Sequence, residues 1–175
     1  PAAGFLWPDW DKPVALVPIE GFEVEDEEGK SKSNIDEAAK VVSIVNDLLA
    51  AGDITTQDIG VISPYNGQVR LLTDLFYQAG GFEDGEPYNG LEIKSVDGYQ
   101  GREKEIIIFS AVRANERGEI GFLSDKRRLN VAITRARRAL IVLGNPTFLR
   151  HDGTWRSYLE RAEVHYQFPG HITHS

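Results

Sequence analysis

Residues 91–112 read L-E-I-K-S-V-D-G-Y-Q-G-R-E-K-E-I-I-I-F-S-A-V, and this stretch decides the fold. The runs at 91–96 and 105–112 are rich in side chains that favour strands, and D-G-Y-Q-G between them carries turn chemistry. The second run is apolar almost throughout, the pattern of a strand covered on both faces. Further short apolar runs stand at V-A-L-V (14–17), I-G-V-I (59–62) and A-L-I-V-L (139–143). Helical spacing lies between them. Ala38, Val41, Val42, Val45, Leu48 and Leu49 recur at the helical period, Asn34 and Glu37 form a capping-box pattern ahead of them, and Gly52 supplies a stop. A second helix is predicted from Asn66 or Gly67 to Ala79, closed by Gly80-Gly81, with others near 125–137 and 153–164. The charged run 23–33 reads as a flexible connector and 82–90 as a turn-rich loop. Strands alternating with helices predict a three-layer α/β domain over 13–165, a mainly parallel sheet with helices on both faces. Residues 1–12 lead into it and 166–175 read as a frayed tail.

Composition narrows the function. A chain of 175 residues suits one domain, and 41% hydrophobic with 26% charged residues excludes a mainly disordered chain. With no cysteine, a disulfide scaffold, thiol catalysis and cysteine-ligated zinc are excluded. No apolar run approaches the ~20 residues of a membrane span, and the N-terminus lacks the pattern of a signal peptide, so no membrane partner is expected. The absence of methionine predicts a chain cut from a longer or processed protein. The net charge of −8 argues against a free-standing nucleic-acid binder, but the charge is uneven. Residues 1–101 carry 6 basic and 19 acidic groups, whereas 102–138 carry 10 basic and 5 acidic, so attraction to a polyanion would centre on 102–138.

Several familiar constellations are missing. Gly29-Lys30-Ser31 resembles the end of a phosphate-binding loop, but Val24 stands where the first glycine belongs and the preceding run is acidic. The G-x-G-x-x-G of dinucleotide folds does not occur. His151, His165, His171 and His174 lack metal-ligand spacing, so no metal site is expected, and nothing suggests Ser–His–Asp catalysis.

Three segments remain. S-V-D-G-Y-Q-G-R-E (95–103) is either a polar connection between strands or a turn that approaches a ligand closely through its two glycines. In R-R-L-N-V-A-I-T-R-A-R-R (127–138), Leu129, Ala132, Ile133 and Ala136 form an apolar helical stripe, and Arg128 and Arg135, seven apart, share a face. A fixed guanidinium there suits phosphate oxygens, unless it is spent on ion pairs with the acidic first half. Tyr65 and Tyr99 either stack on bases or line the rim of the core.

Taken in order, V-I-S-P-Y-N-G-Q-V (61–69), the stretch 91–113 and G-F-L-S-D-K-R-R-L-N-V-A-I-T-R-A-R-R-A-L-I-V-L-G (121–144) resemble motifs IV, V and VI of the superfamily 1B helicases. The resemblance covers about residues 13–165. It implies the second, C-terminal RecA-like domain of a two-domain ATP-driven motor that acts inside the cell, in nucleus or cytoplasm. In such motors ATP binds with Mg2+ between the domains, and the N-terminal RecA-like domain supplies the phosphate loop and the metal-handling carboxylates. By motif alignment Arg135 would be the arginine finger, a contribution worth ~10³–10⁵ in rate in related nucleotide hydrolysis. Glu103 would meet the ribose or phosphate edge of the nucleotide, Gln100, Gly101 and Arg102 would shape the turn beside it, and Arg128 would face the phosphates. Ser63, Pro64, Tyr65, Asn66, Ser95 and Val96 fall where these motors hold single-stranded DNA or RNA by its backbone.

The resemblance has one departure. Some relatives place a second phosphate-facing arginine where this chain has Ile35, which leaves that contact resting on Arg135. A non-catalytic RecA-like binding module is the alternative the resemblance allows.

Overall fold

The computed structural model describes residues 4, 14–21, 23–25, 31–99, 103–112 and 135–146. Five strands, β1 (Val14–Pro18), β4 (Ile59–Ser63), β5 (Glu92–Ser95), β6 (Lys104–Ser110) and β7 (Ala136–Gly144), form a sheet in the order β1-β7-β6-β4-β5. Every pairing in it is parallel. The expected connector at 23–33 instead holds an antiparallel ribbon, β2 (Val24–Glu25) against β3 (Lys32–Ser33).

Helix α1 (Ile35–Ala50) starts where Asn34 caps it, its side-chain oxygen accepting the Glu37 N–H at 3.1 Å. Only half of a capping box forms, because the Asn34 N–H donates to Gln68 rather than to Glu37. The chain leaves α1 through Gly52, whose φ of +80° suits a residue without a β-carbon. Helix α2 (Asn66–Ala79) has the predicted bounds, and Gly80 follows as its cap.

Alternation along the strands sends Val61, Ile106, Ile108 and Ile141 to the face that meets Val41, Leu48, Leu72 and Phe76 of the two helices. Each fully buried isoleucine contributes about 1.5–3 kcal/mol relative to exposure. The opposite face is buried as well, through Leu16, Ile62, Ile107, Phe109 and Val142. A sheet covered on both faces is the middle of three layers, the expected RecA-like α/β architecture.

Two differences matter for the site. The helix expected near 125–137 does not reach its predicted end, because Ala136 already opens β7; residues 125–134 lie outside the described residues. The second difference is the link from the carboxyl end of β5 to the amino end of β6. It must pass β4 and retrace the sheet within residues 96–103. Among its described residues, Asp97–Tyr99 make a 3-10 turn, which lays the Tyr99 side chain over β4 at Gly60. A β-carbon on Gly60 would stand 1.9 Å from the Tyr99 hydroxyl, so only glycine leaves the ring its place.

Candidate functional site

The candidate residues gather at opposite edges of the sheet. Glu103 lies at the amino edge, immediately before β6. Arg135 immediately precedes β7 on the same edge, and its carbonyl accepts the Lys104 N–H at 3.0 Å. The fold therefore brings Glu103 and Arg135 together. Gln100, Gly101, Arg102 and Arg128 lie outside the described residues.

Local irregularity arranges the charges here. Lys104 pairs with Ala136 and Ile106 with Ala139, so β7 spends one more residue than β6 across this step, a bulge. Regular pleating would send Arg137 and Arg138 to opposite faces; the bulge lets both reach Glu105. Arg138 Nε stands 2.7 Å and Arg137 Nη1 3.9 Å from its carboxylate, while Arg137 Nε donates to Glu103 at 3.1 Å. These arginines are well exposed, so each pair is worth at most about 1 kcal/mol. The ion pairs of R-A-R-R thus go to neighbours in the basic half and not to the acidic first half. Arg135 differs from both. It is half-buried, its Nε is buried without a hydrogen bond, and it joins no ion pair among the described residues. A buried donor left open is costly unless something arrives to take it.

The nucleic-acid candidates lie at the carboxyl edge. Ser63 ends β4 beside Ser95, which ends β5. Ser63 is fully buried, its hydroxyl accepting the Tyr65 N–H at 3.4 Å and its carbonyl the Val96 N–H at 3.1 Å. Tyr65 is 4% exposed and Tyr99 0%, so neither ring can stack on a base; both belong to the core. Val96 is buried too. Asn66 is exposed at the start of α2, Pro64 is half-buried, and Ser95 is half-buried with its hydroxyl accepting the Gly98 N–H at 3.2 Å. Of these predicted residues, it is therefore the Asn66 and Ser95 side chains that this edge offers a ligand. Ile35 is 52% exposed at the start of α1, on this edge and across the sheet from Arg135.

Sequence reasoning missed a polar cluster at the same edge. Glu37, Gln68 and Ser110 are buried, and Glu37 accepts hydrogen bonds from the Ser110 hydroxyl and the Val112 N–H. Burial pushes the Glu37 carboxyl up to about 8, against the downward pull of those two bonds. A signal was present: Glu37 falls on the stripe Glu37, Val41, Ile44, Leu48, and Gln68 on the stripe Gln68, Leu72, Phe76, so both occupy core positions of their helices. Among the described residues, no group of three or more His, Asp or Glu could hold a metal ion, and no helix is long and apolar enough to cross a membrane.

Comparison with known proteins gives the family. A family model described as AAA domain matches residues 3–147. The Regulator of nonsense transcripts 1 homolog of Drosophila melanogaster is 44% identical over 155 residues, 89% of this chain and 13% of that protein. The ATP-dependent helicase NAM7 of Saccharomyces cerevisiae is 39% identical over 170 residues, 97% of this chain and 17% of that protein. The chain thus spans less than a fifth of these relatives. The solved C-terminal domain of a possible DNA helicase from Lactobacillus plantarum WCFS1 superposes with a TM-score of 0.51 at 14% identity, covering 84% of this chain and 83% of that one, a likeness of fold. The chain belongs to the AAA domain family and is, within it, a C-terminal RecA-like domain of the superfamily 1B helicase type.

Proposed function

We propose that this domain completes the ATP site of a helicase motor along its amino edge and grips a single strand of DNA or RNA along its carboxyl edge. Arg135 carries the reading: a buried, unbonded guanidinium Nε sits beside two arginines already paired with Glu103 and Glu105. Its fork would stabilise charge on the γ-phosphate as that group transfers to water. Glu103 would accept a hydrogen bond from the nucleotide's ribose, held in place by Arg137. The phosphate loop and the magnesium ligands would come from an N-terminal RecA-like domain of the same protein. At the other edge, Asn66, Ser95 and nearby main chain would bind strand phosphates without reading sequence. The motor would work inside the cell, in nucleus or cytoplasm.

In the full-length protein, Arg135→Ala should lower the kcat of ATP hydrolysis about 10³-fold, the scale of an arginine finger, and leave strand affinity within about twofold. Unchanged hydrolysis would remove Arg135 from the site. The 175-residue chain alone should hydrolyse ATP negligibly, and vigorous turnover by it would contradict a site shared between domains.

A further inference from the structure

The buried cluster at the carboxyl edge is wired in one direction. Gln68 Nε2 donates to the Ser110 hydroxyl at 3.0 Å and to the Asn34 carbonyl at 3.2 Å, while Gln68 Oε1 accepts the Asn34 N–H at 2.9 Å. With its oxygen taken by an amide donor, Ser110 turns its one proton to Glu37. Glu37 Oε1 also takes the Val112 N–H at 2.8 Å. Asn34 Nδ2 donates to the Val112 carbonyl at 3.4 Å and to the Gly21 carbonyl at 2.9 Å. The starts of α1 and α2 and the exit of β6 are thus joined through polar side chains.

Val112 carries the strain. Its φ is +72°, the one left-handed non-glycine among the described residues, and it is β-branched and fully buried. Such a backbone persists only where its surroundings impose it. Here Glu37 holds its N–H and Asn34 its carbonyl. The direction in which the chain leaves β6 is consequently set by α1 and not by Val112 itself. Gln68 lies two residues after Asn66, so the same cluster fixes the first turn of α2.

We propose that Glu37 is a positioning residue of the strand-binding edge: it holds Val112 left-handed and, through Ser110 and Gln68, sets the exit of β6 relative to the turn that presents Asn66. This rests on the strand-binding reading above. Glu37 touches no ligand; it acts through the backbone it holds.

The test is single-strand binding by the full-length protein, with an unlabelled-sequence oligonucleotide as probe and the KM for ATP read in parallel. Glu37→Ala, which leaves the Ser110 and Val112 donors without their acceptor, should weaken strand affinity about tenfold with the KM for ATP unchanged. Glu37→Gln keeps a carbonyl oxygen for both donors and should bind within about twofold of wild type. Glycine adopts positive φ without strain, so Glu37→Ala combined with Val112→Gly should return affinity to within about threefold. If Glu37→Ala does not fold, Ser110→Ala carries the test through an expected loss of about threefold. A folded Glu37→Ala or Ser110→Ala variant with wild-type strand affinity overturns the proposal, as does a double variant that recovers nothing. If the wild-type protein itself binds no strand, the reading of the whole edge has failed, which is a different result.

Discussion

Tyr99 occupies the space that a side chain on Gly60 would need, with its hydroxyl 1.9 Å from the position of the missing β-carbon. Gly60→Ala must therefore displace a fully buried ring and the 3-10 turn that carries it. Overpacking of this kind costs about 1–3 kcal/mol, and the urea midpoint should fall accordingly. Tyr99→Phe removes the nearest atom, so a double-mutant cycle should show the two changes coupled. Independent, additive losses would mean that the ring does not rest on Gly60.

Glu103→Ala should raise the KM for ATP in the full-length protein with little change in kcat. Arg137→Ala should do less, because its pair with Glu103 is about half exposed and exposed pairs are worth about 0.2–1 kcal/mol, roughly a five-fold effect at most. Added salt should mimic Arg137→Ala in the wild type and do nothing to the variant. A KM unmoved by Glu103→Ala takes that residue out of the nucleotide site.

Glu37 predicts a pH dependence of folding. Its carboxyl titrates near 4.5 when unfolded and is pushed up to about 8 when folded by burial. Between those values the folded chain holds a proton that the unfolded chain has released. Stability from this group is therefore full below about pH 4.5 and declines as pH rises towards 8, by at most about 1.4 kcal/mol per pH unit. Glu37→Gln cannot ionise, so its stability advantage over wild type should widen from pH 5 to pH 8 in urea titrations. Parallel curves for the two proteins would show that Glu37 is charged throughout.

Tyr65→Phe should leave strand affinity and its salt slope unchanged, because the ring is buried. Asn66→Ala, which removes an exposed polar side chain at the start of α2, should weaken binding about threefold on every sequence alike. A loss confined to Tyr65→Phe in fluorescence anisotropy would return the tyrosine to the interface.

Much of the fold was legible because its signals are local. The bounds of α2, the Asn34 cap and the Gly52 stop follow from spacing within a few residues. The ribbon at Val24–Glu25 and Lys32–Ser33 was not legible, since two-residue strands inside a charged run have no period to read. The start of β7 was hidden because its bulge breaks the alternation that marks a strand and its arginines suit a helix equally well. The edge on which a residue lies is not local at all. Glu103 immediately precedes β6 and so sits at the amino edge, opposite Ser95, but that β4 lies between β5 and β6 is written in no window of sequence. Glu37 was visible as a cap partner; its inward turn depends on Ser110 and Val112, more than seventy residues away.

The link from Val96 to Glu103 has a mechanical consequence. It begins beside Ser95, which would touch a nucleic acid, and ends at the glutamate that would touch a nucleotide, and Tyr99 within it rests on Gly60 of β4. Because the Tyr99 ring is seated on Gly60, a side chain added at position 60 in the core would be felt at the turn beside Ser95, several ångströms away on the surface edge.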